Sequence, residues 1–138
     1  MSEVNGREPS TAVPLLAVRG LTKVYPNGLR ALDAVDLTIE TAQLIAIIGS
    51  SGAGKSTFIR CINRLVEPTS GQVLLGAQDL VALDRKALRA ARRRIGMIFQ
   101  EYNLVERLSV MQNLLSGRLG YVGLMAALRW RFPPEDVR

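Results

Sequence analysis

Gly49-Ser50-Ser51-Gly52-Ala53-Gly54-Lys55-Ser56 decides the fold of this chain, because it fills every fixed position of the pattern G-x-x-x-x-G-K-[ST]. On its amino side stands Leu44-Ile45-Ala46-Ile47-Ile48, continuously apolar, the pattern of a strand buried on both faces of a parallel sheet. On its carboxyl side Phe58, Ile59, Ile62, Leu65 and Val66 recur at spacings of three and four, which predicts an amphipathic helix. Strand, glycine-rich loop and helix in that order separate a working phosphate loop from a chance match. The alternative is a plain glycine-rich turn between strand and helix.

Each residue type in the loop has a chemical task. The glycines allow backbone angles and close approaches that a β-carbon blocks. Successive N–H groups of Gly49, Ser50, Ser51, Gly52, Ala53 and Gly54 can then converge on phosphate oxygens, aided by the positive end of the following helix. Lys55 supplies a compact cation for the β- and γ-phosphates. The Ser56 hydroxyl suits Mg²⁺, a hard ion that prefers oxygen, and Thr57 adds a hydroxyl toward the α-phosphate. The expected ligands are therefore ATP and Mg²⁺. A D-x-x-G switch and an N-K-x-D base reader are both missing from the sequence, which argues against a GTPase. On the loop alone a small-molecule kinase stays open.

Outward from the loop, Leu15 to Tyr25 has strand character and closes on the turn signal Pro26-Asn27-Gly28. Ala31 to Glu40 alternates in part, as a half-exposed strand does. These two segments predict an antiparallel sheet near the start. Gln72 to Leu75 reads as a short strand with a turn at Gly76. Asp84 is the expected cap of a helix through Arg93, with Ala87, Leu88 and Ala91 as its apolar stripe. Ile95 to Phe99 reads as a second core strand ending at Gln100. Ser109 is the expected cap of a helix through Leu119, with Val110, Leu114 and Leu115 inward. Residues 1–13 mix polar residues, Gly and Pro and read as a loose tail. The fold class is α/β: a phosphate-loop NTPase core of parallel sheet and flanking helices, plus an antiparallel N-terminal β-subdomain.

Bulk properties agree with a globular chain. It has 138 residues, 48% of them hydrophobic, enough for a real core. The single cysteine, Cys61, cannot form an internal bridge, and a small buried side chain on the helix is its expected role. No basic run leads into an apolar stretch at the start, and Leu119 to Leu128 falls short of the ~20 residues that cross a bilayer. The formal charge is +6, with a dense cluster at Arg85, Lys86, Arg89, Arg92, Arg93 and Arg94. That cluster reads as a solvated helix face or a meeting place for phosphate backbones or headgroups. No aromatic residue is interleaved with it, so nucleic-acid binding is not expected.

From about Leu15 to its last residue the sequence resembles the N-terminal part of an ABC-transporter ATP-binding subunit. Leu21-Thr22-Lys23-Val24-Tyr25 resembles the aromatic loop of that family, which implies that Tyr25 stacks on adenine; packing at a strand end is the alternative. Leu37-Thr38-Ile39-Glu40, the strand before the loop, and Glu67-Pro68-Thr69-Ser70-Gly71-Gln72-Val73 are similar to its connecting segments. Ile95-Gly96-Met97-Ile98-Phe99-Gln100 resembles the strand into its Q-loop. The resemblance therefore gives Gln100 a catalytic and metal role beside Lys55, with simple closure of a strand end as the alternative. Tyr102 to Val110, Asn113 to Gly120 and Phe132 to Asp136 look most like the phosphonate importers' subunit, with importers of phosphate, amino acids or methionine as alternatives. The resemblance implies transmembrane permease subunits, a second ATP-binding subunit and, indirectly, a solute-binding protein as partners. It implies a peripheral place on the cytoplasmic face of the cell membrane.

Against the family pattern, no apolar strand ending in Asp-Glu follows Gln100, L-S-G-G-Q is missing and there is no histidine. Leu115-Ser116-Gly117-Arg118 is a near-miss to the signature. Residues 14–138 are accordingly expected to be the N-terminal part of an ABC ATP-binding domain, with hydrolysis a property of the full protein and not of these residues alone. A soluble ABC-type module acting on nucleic acid and a nucleotide sensor without turnover are the other classes open at this stage.

Overall fold

A computed structural model of the chain describes residues 13–99, 104–122, 125, 127, 129 and 131–133. Two compact units divide it, Met1–Asp84 and Arg85–Arg138. The expected loose tail lies almost wholly outside the described residues.

The first unit is built on an antiparallel sheet. Strands β1 (Leu16–Val24), β2 (Arg30–Ile39), β3 (Ser70–Leu75) and the two-residue β4 (Gln78–Asp79) lie in the order β2-β1-β3-β4. Leu16 pairs with Ile39 on one side and Leu75 on the other, and Val18 pairs with Leu37 and Val73. Flanked on both sides, β1 is the most buried strand: Ala17, Val18 and Leu21 are sealed with Val73 and Leu80. Each fully buried Leu or Val contributes roughly 1.5–3 kcal/mol. The ladder slips near Gly20 and Ala34, both with positive φ, as bulges do. Across one slip the Asp36 carboxylate accepts from the Gly20 N–H at 2.7 Å. The expected antiparallel sheet is present; β4 carried too short a signal to read.

Helix α1 (Lys55–Ile62) follows the loop, as its periodicity predicts, but it is shorter and turned differently. Its buried residues are Phe58 and Cys61, whereas Ile59 and Leu65 are exposed. Asn63 caps the helix and Arg64 follows with φ of 53°, so Leu65 and Val66 lie past its end. Cys61 is sealed from solvent, and burial pushes its thiol pKa up, with Lys23 opposing and Glu67 adding to the rise.

The strand expected at Leu44–Ile48 is not formed. Residues 43–50 take no ladder partner, and Leu44 and Ile48 are 99% and 91% exposed. The apolar run has the character of a doubly buried strand, but no strand lies beside it among the described residues to accept its hydrogen bonds. An apolar cleft of about 420 Å³ separates the run from β2 and α1, lined among others by Leu32, Leu37, Ile45, Ile47 and Phe58.

In the second unit both expected helices are present, α2 (Arg85–Arg92) ending one residue before Arg93 and α3 (Val110–Ser116) three residues before Leu119. Leu88 and Ala91 are the buried side of α2, with Ala87 partly exposed. Ser109 caps α3 through a complete capping box with Gln112. Only Leu115 of its expected inward residues is buried, while Val110 and Leu114 are exposed. Among the described residues Ile95 to Phe99 forms no strand, and Ile98 is 99% exposed. The structure also brings Tyr121 to the basic cluster, which sequence order did not show. The Arg93 and Arg118 guanidinium carbons lie 5.3 and 4.7 Å from its ring centroid, and its hydroxyl donates to the Arg93 carbonyl at 3.0 Å. That ring is engaged by this chain's own guanidinium groups and is half exposed. Among the described residues no helix is long and apolar enough to cross a membrane.

Candidate nucleotide site

The loop from Gly49 to Gly54 turns tightly before α1. Ala53 N–H donates to the Ser50 carbonyl at 3.2 Å, and Phe58 N–H donates to Gly54 at 2.8 Å as the helix begins. Gly54 is required twice over. Its φ is +83°, and a β-carbon there would stand 2.3 Å from the Ala31 carbonyl oxygen and 3.2 Å from a Leu32 methyl. The loop is thereby pressed against β2 at the point where α1 starts.

The amino end of α1 is bare. Its cap is Gly54, with no side-chain cap hydrogen bond and no acidic residue in the first turn. The first amides of any helix lack partners within it, and among the described residues no side chain caps them here. Helix α3 shows the contrast, since Ser109 and Gln112 close its amino end reciprocally. A bare positive helix end beside a glycine loop is a concavity suited to an anion. The Lys55 ammonium lies across it, donating to the Gly49 and Ser50 carbonyls at 2.7 Å each.

Tyr25 leaves β1 at the rim of the same place. The tight turn after it is closed by Gly28 N–H to the Tyr25 carbonyl and Tyr25 N–H to the Leu29 carbonyl, both at 2.9 Å. The Tyr25 hydroxyl lies 3.3 Å from the Thr57 hydroxyl, joining ring to helix. Tyr25, Leu29, Ala31 and residues 51–57 line a cleft of about 330 Å³. The structure thus gathers Tyr25, Ser51, Gly52, Ala53, Gly54, Lys55, Ser56 and Thr57, with Gly49 and Ser50 behind the lysine. Gln100 lies outside the described residues.

Sequence reading overlooked Lys23. Its ammonium sits 5.1 Å from the Tyr25 ring centroid and donates to the Glu67 carbonyl at 2.7 Å. The sequence carried no local signal for it: Tyr25 stands one residue beyond β1, and the lysine's anchor at Glu67 is brought to it only by the fold.

As to metal, the described residues contain no cluster of three or more His, Cys, Asp or Glu. The Ser56 hydroxyl, on the first turn of α1 beside Lys55, is a hard donor next to the bare helix end, with the Ser51 and Thr57 hydroxyls in the same cleft. That suits Mg²⁺, which takes few protein oxygens and completes its shell with phosphate and water.

The loop, its bare helix and the sheet packed against it are those of a nucleotide-binding cassette. A family model for ABC transporters matches residues 32–136, and the chain belongs to the ABC transporter family. Among curated proteins it is 59% identical over 124 residues to the phosphonates import ATP-binding protein PhnC of Alcaligenes faecalis, covering 90% of this chain and 45% of that one. The chain spans about half the length of the curated relatives it matches. Among solved structures it resembles a dimeric bacterial ABC transporter cassette (TM-score 0.71, 33% identity, 84% of this chain and 52% of that one). It also resembles a post-hydrolysis dimer of an ATP-binding cassette bound to ADP and Pi (TM-score 0.69, 29% identity, 88% and 52%). The expected fold class stands; what differs is that residues 44–48 and 95–99 form no strand here.

Proposed function

We propose that residues 14–138 are the N-terminal part of an ABC ATP-binding domain, and that the whole protein hydrolyses ATP to drive import of a solute, phosphonate in particular. The observation that carries this is the bare amino end of α1, with Lys55 folded over the loop and Tyr25 across the cleft. A triphosphate would take the amides of Ser51 to Ser56, and the ammonium of Lys55 would leave the Gly49 and Ser50 carbonyls for the β- and γ-phosphates. That exchange replaces neutral acceptors by anionic ones, which strengthens each bond. Thr57 would reach the α-phosphate and Tyr25 would offer a ring face to adenine.

Mg²⁺, when bound, would neutralise phosphate charge, with Ser56 as its ligand from this chain and Gln100 assigned beside it by family resemblance. Residues 1–138 contain no Asp-Glu strand end after Gln100, so turnover is assigned to the whole protein. Phosphonate as the solute is supported by the names of the relatives, at 54–59% identity in the first five. A second ATP-binding subunit is supported by the dimeric cassettes. Permease subunits, a solute-binding protein reached through them and a place on the cytoplasmic membrane face complete the proposal. Nucleic acid is not a partner in it.

Replacement of Lys55 by alanine in the whole protein tests the reading. Mg-ATP binding, measured by calorimetry, is expected to weaken about ten- to a hundredfold, the loss of one or two charge-assisted bonds. Phosphonate uptake by cells carrying the variant is expected to stop. Undiminished uptake would refute the transport role, and uptake of phosphate, methionine or an amino acid in its place would reassign the solute.

A further inference from the structure

Tyr25 is held by more than its place in the chain. One tie runs to the start of α1, through the Thr57 hydroxyl at 3.3 Å. Another runs to the segment after α1 by way of Lys23. The Lys23 ammonium lies over the ring, 5.1 Å from its centroid, and its hydrogen bond at 2.7 Å goes to the Glu67 carbonyl. Glu67 is itself fixed, since its carboxylate accepts from Arg64 Nη2 at 2.8 Å and Nε at 3.1 Å. The neighbouring backbone is tied as well: Thr69 N–H donates to the Thr22 carbonyl, and the Thr69 hydroxyl accepts from Val24 N–H and donates to the Val24 carbonyl. The end of β1 and the segment after α1 therefore form one stiff frame around the ring.

We infer that Lys23 is a positioning residue for base recognition: its ammonium, anchored on Glu67, covers one face of Tyr25 and presents the other to the nucleotide base. The inference rests on the assignment of Tyr25 as the stacking ring. A cation on a ring face is attracted by the ring's quadrupole, and a carbonyl anchor stops the lysine from wandering. The ring then loses little freedom when a base arrives, which is where preorganisation raises affinity. The frame meets the phosphate side only through the Tyr25–Thr57 hydroxyl contact, and Lys23 itself bonds to Glu67, so its effect should fall on the base and not on the phosphates.

Two probes separate these parts, Mg-ATP and magnesium tripolyphosphate, the second having phosphates and no base. Binding of each is measured by calorimetry on the whole protein and on its Lys23→Met and Lys23→Arg variants. Methionine keeps the length and apolar contact but removes charge and donor. For Lys23→Met, Mg-ATP affinity is expected to fall about three- to fivefold, with tripolyphosphate affinity unchanged. In Lys23→Arg, whose guanidinium both stacks and donates, ATP affinity should recover most of that loss. Equal weakening of both probes in Lys23→Met would make the residue a general structural support and overturn the inference, as would no change in either. Failure of the unaltered protein to bind Mg-ATP would refute the nucleotide-site reading itself; binding of tripolyphosphate and ATP with equal affinity would refute base stacking, and the role of Lys23 with it.

Discussion

Arg64 spends its whole side chain on the frame behind the site. It adopts φ of 53°, a left-handed conformation that costs a non-glycine residue roughly 1 kcal/mol. In return one Nη1 donates to the Leu80 and Leu83 carbonyls at 2.8 and 2.9 Å, while Nε and Nη2 grip both oxygens of Glu67. The guanidinium is largely buried, its carboxylate partner half-exposed, so the pair is worth more than a surface ion pair. Arg64→Ala strands two carbonyls and keeps the strained backbone. Its expected cost is about 2–4 kcal/mol in a denaturant titration of the whole protein. Arg64→Gly loses the same bonds but relieves the backbone, so it should be more stable than the alanine variant by roughly 1 kcal/mol, reduced by its greater freedom when unfolded. A glycine variant less stable than the alanine one would show that the conformation carries no strain.

At the scale of elements the two helix starts divide the labour of the chain. Helix α1 begins on a glycine with no side-chain cap, whereas α3 begins on Ser109, which accepts from Gln112 N–H at 3.2 Å while the Gln112 side chain accepts from Ser109 N–H at 2.9 Å. The first start is open to a ligand and the second is closed by its own sequence. Loss of the second closure should be felt only locally: Ser109→Ala is expected to cost about 1 kcal/mol, read as faster hydrogen exchange of the first amides of α3, with nucleotide affinity unchanged. Unaltered exchange there would mean that the helix is held by its other contacts, such as Asn113 Nδ2 to the Val105 and Leu108 carbonyls at 3.1 Å. Legibility in the sequence followed the same line between local and distant causes. The loop, its helix, the Ser109 cap and the β1–β2 hairpin were readable because their determinants lie within a few residues. The partly exposed face of Ala87 and the outward Val110 and Leu114 were not, since periodicity names a face but not what will cover it. Nor was the want of strand structure at 44–48 and 95–99, because a ladder partner is a property of another strand. At the site itself, Tyr25 and residues 49–57 came from motif and resemblance, while Lys23 and the Arg64–Glu67 brace came only from the fold.

The chain as a whole carries an apolar excess that its own described residues leave uncovered. Leu44, Ile48 and Ile98 are almost wholly exposed, in two segments whose composition is that of buried strands. Exposed apolar runs of strand-like composition are templates for association between chains. The 138-residue chain by itself is therefore expected to bind the dye anilinonaphthalene sulfonate and to self-associate at concentrations on the order of 10 µM. The cause can be isolated, because a side chain already in water should tolerate a charge. Ile48→Lys and Ile98→Lys, combined in the same 138-residue chain, should change its stability by no more than about 0.5 kcal/mol, while reducing dye binding and shifting sedimentation toward the monomer. If the double variant instead unfolded, the two isoleucines would be interior residues of this chain, and the strands at 44–48 and 95–99 would be formed in solution after all. If it folded but associated as before, the adhesive surface would have to be sought in the exposed apolar residues of α3, Val110 and Leu114, where the same pair of lysine substitutions would then be read.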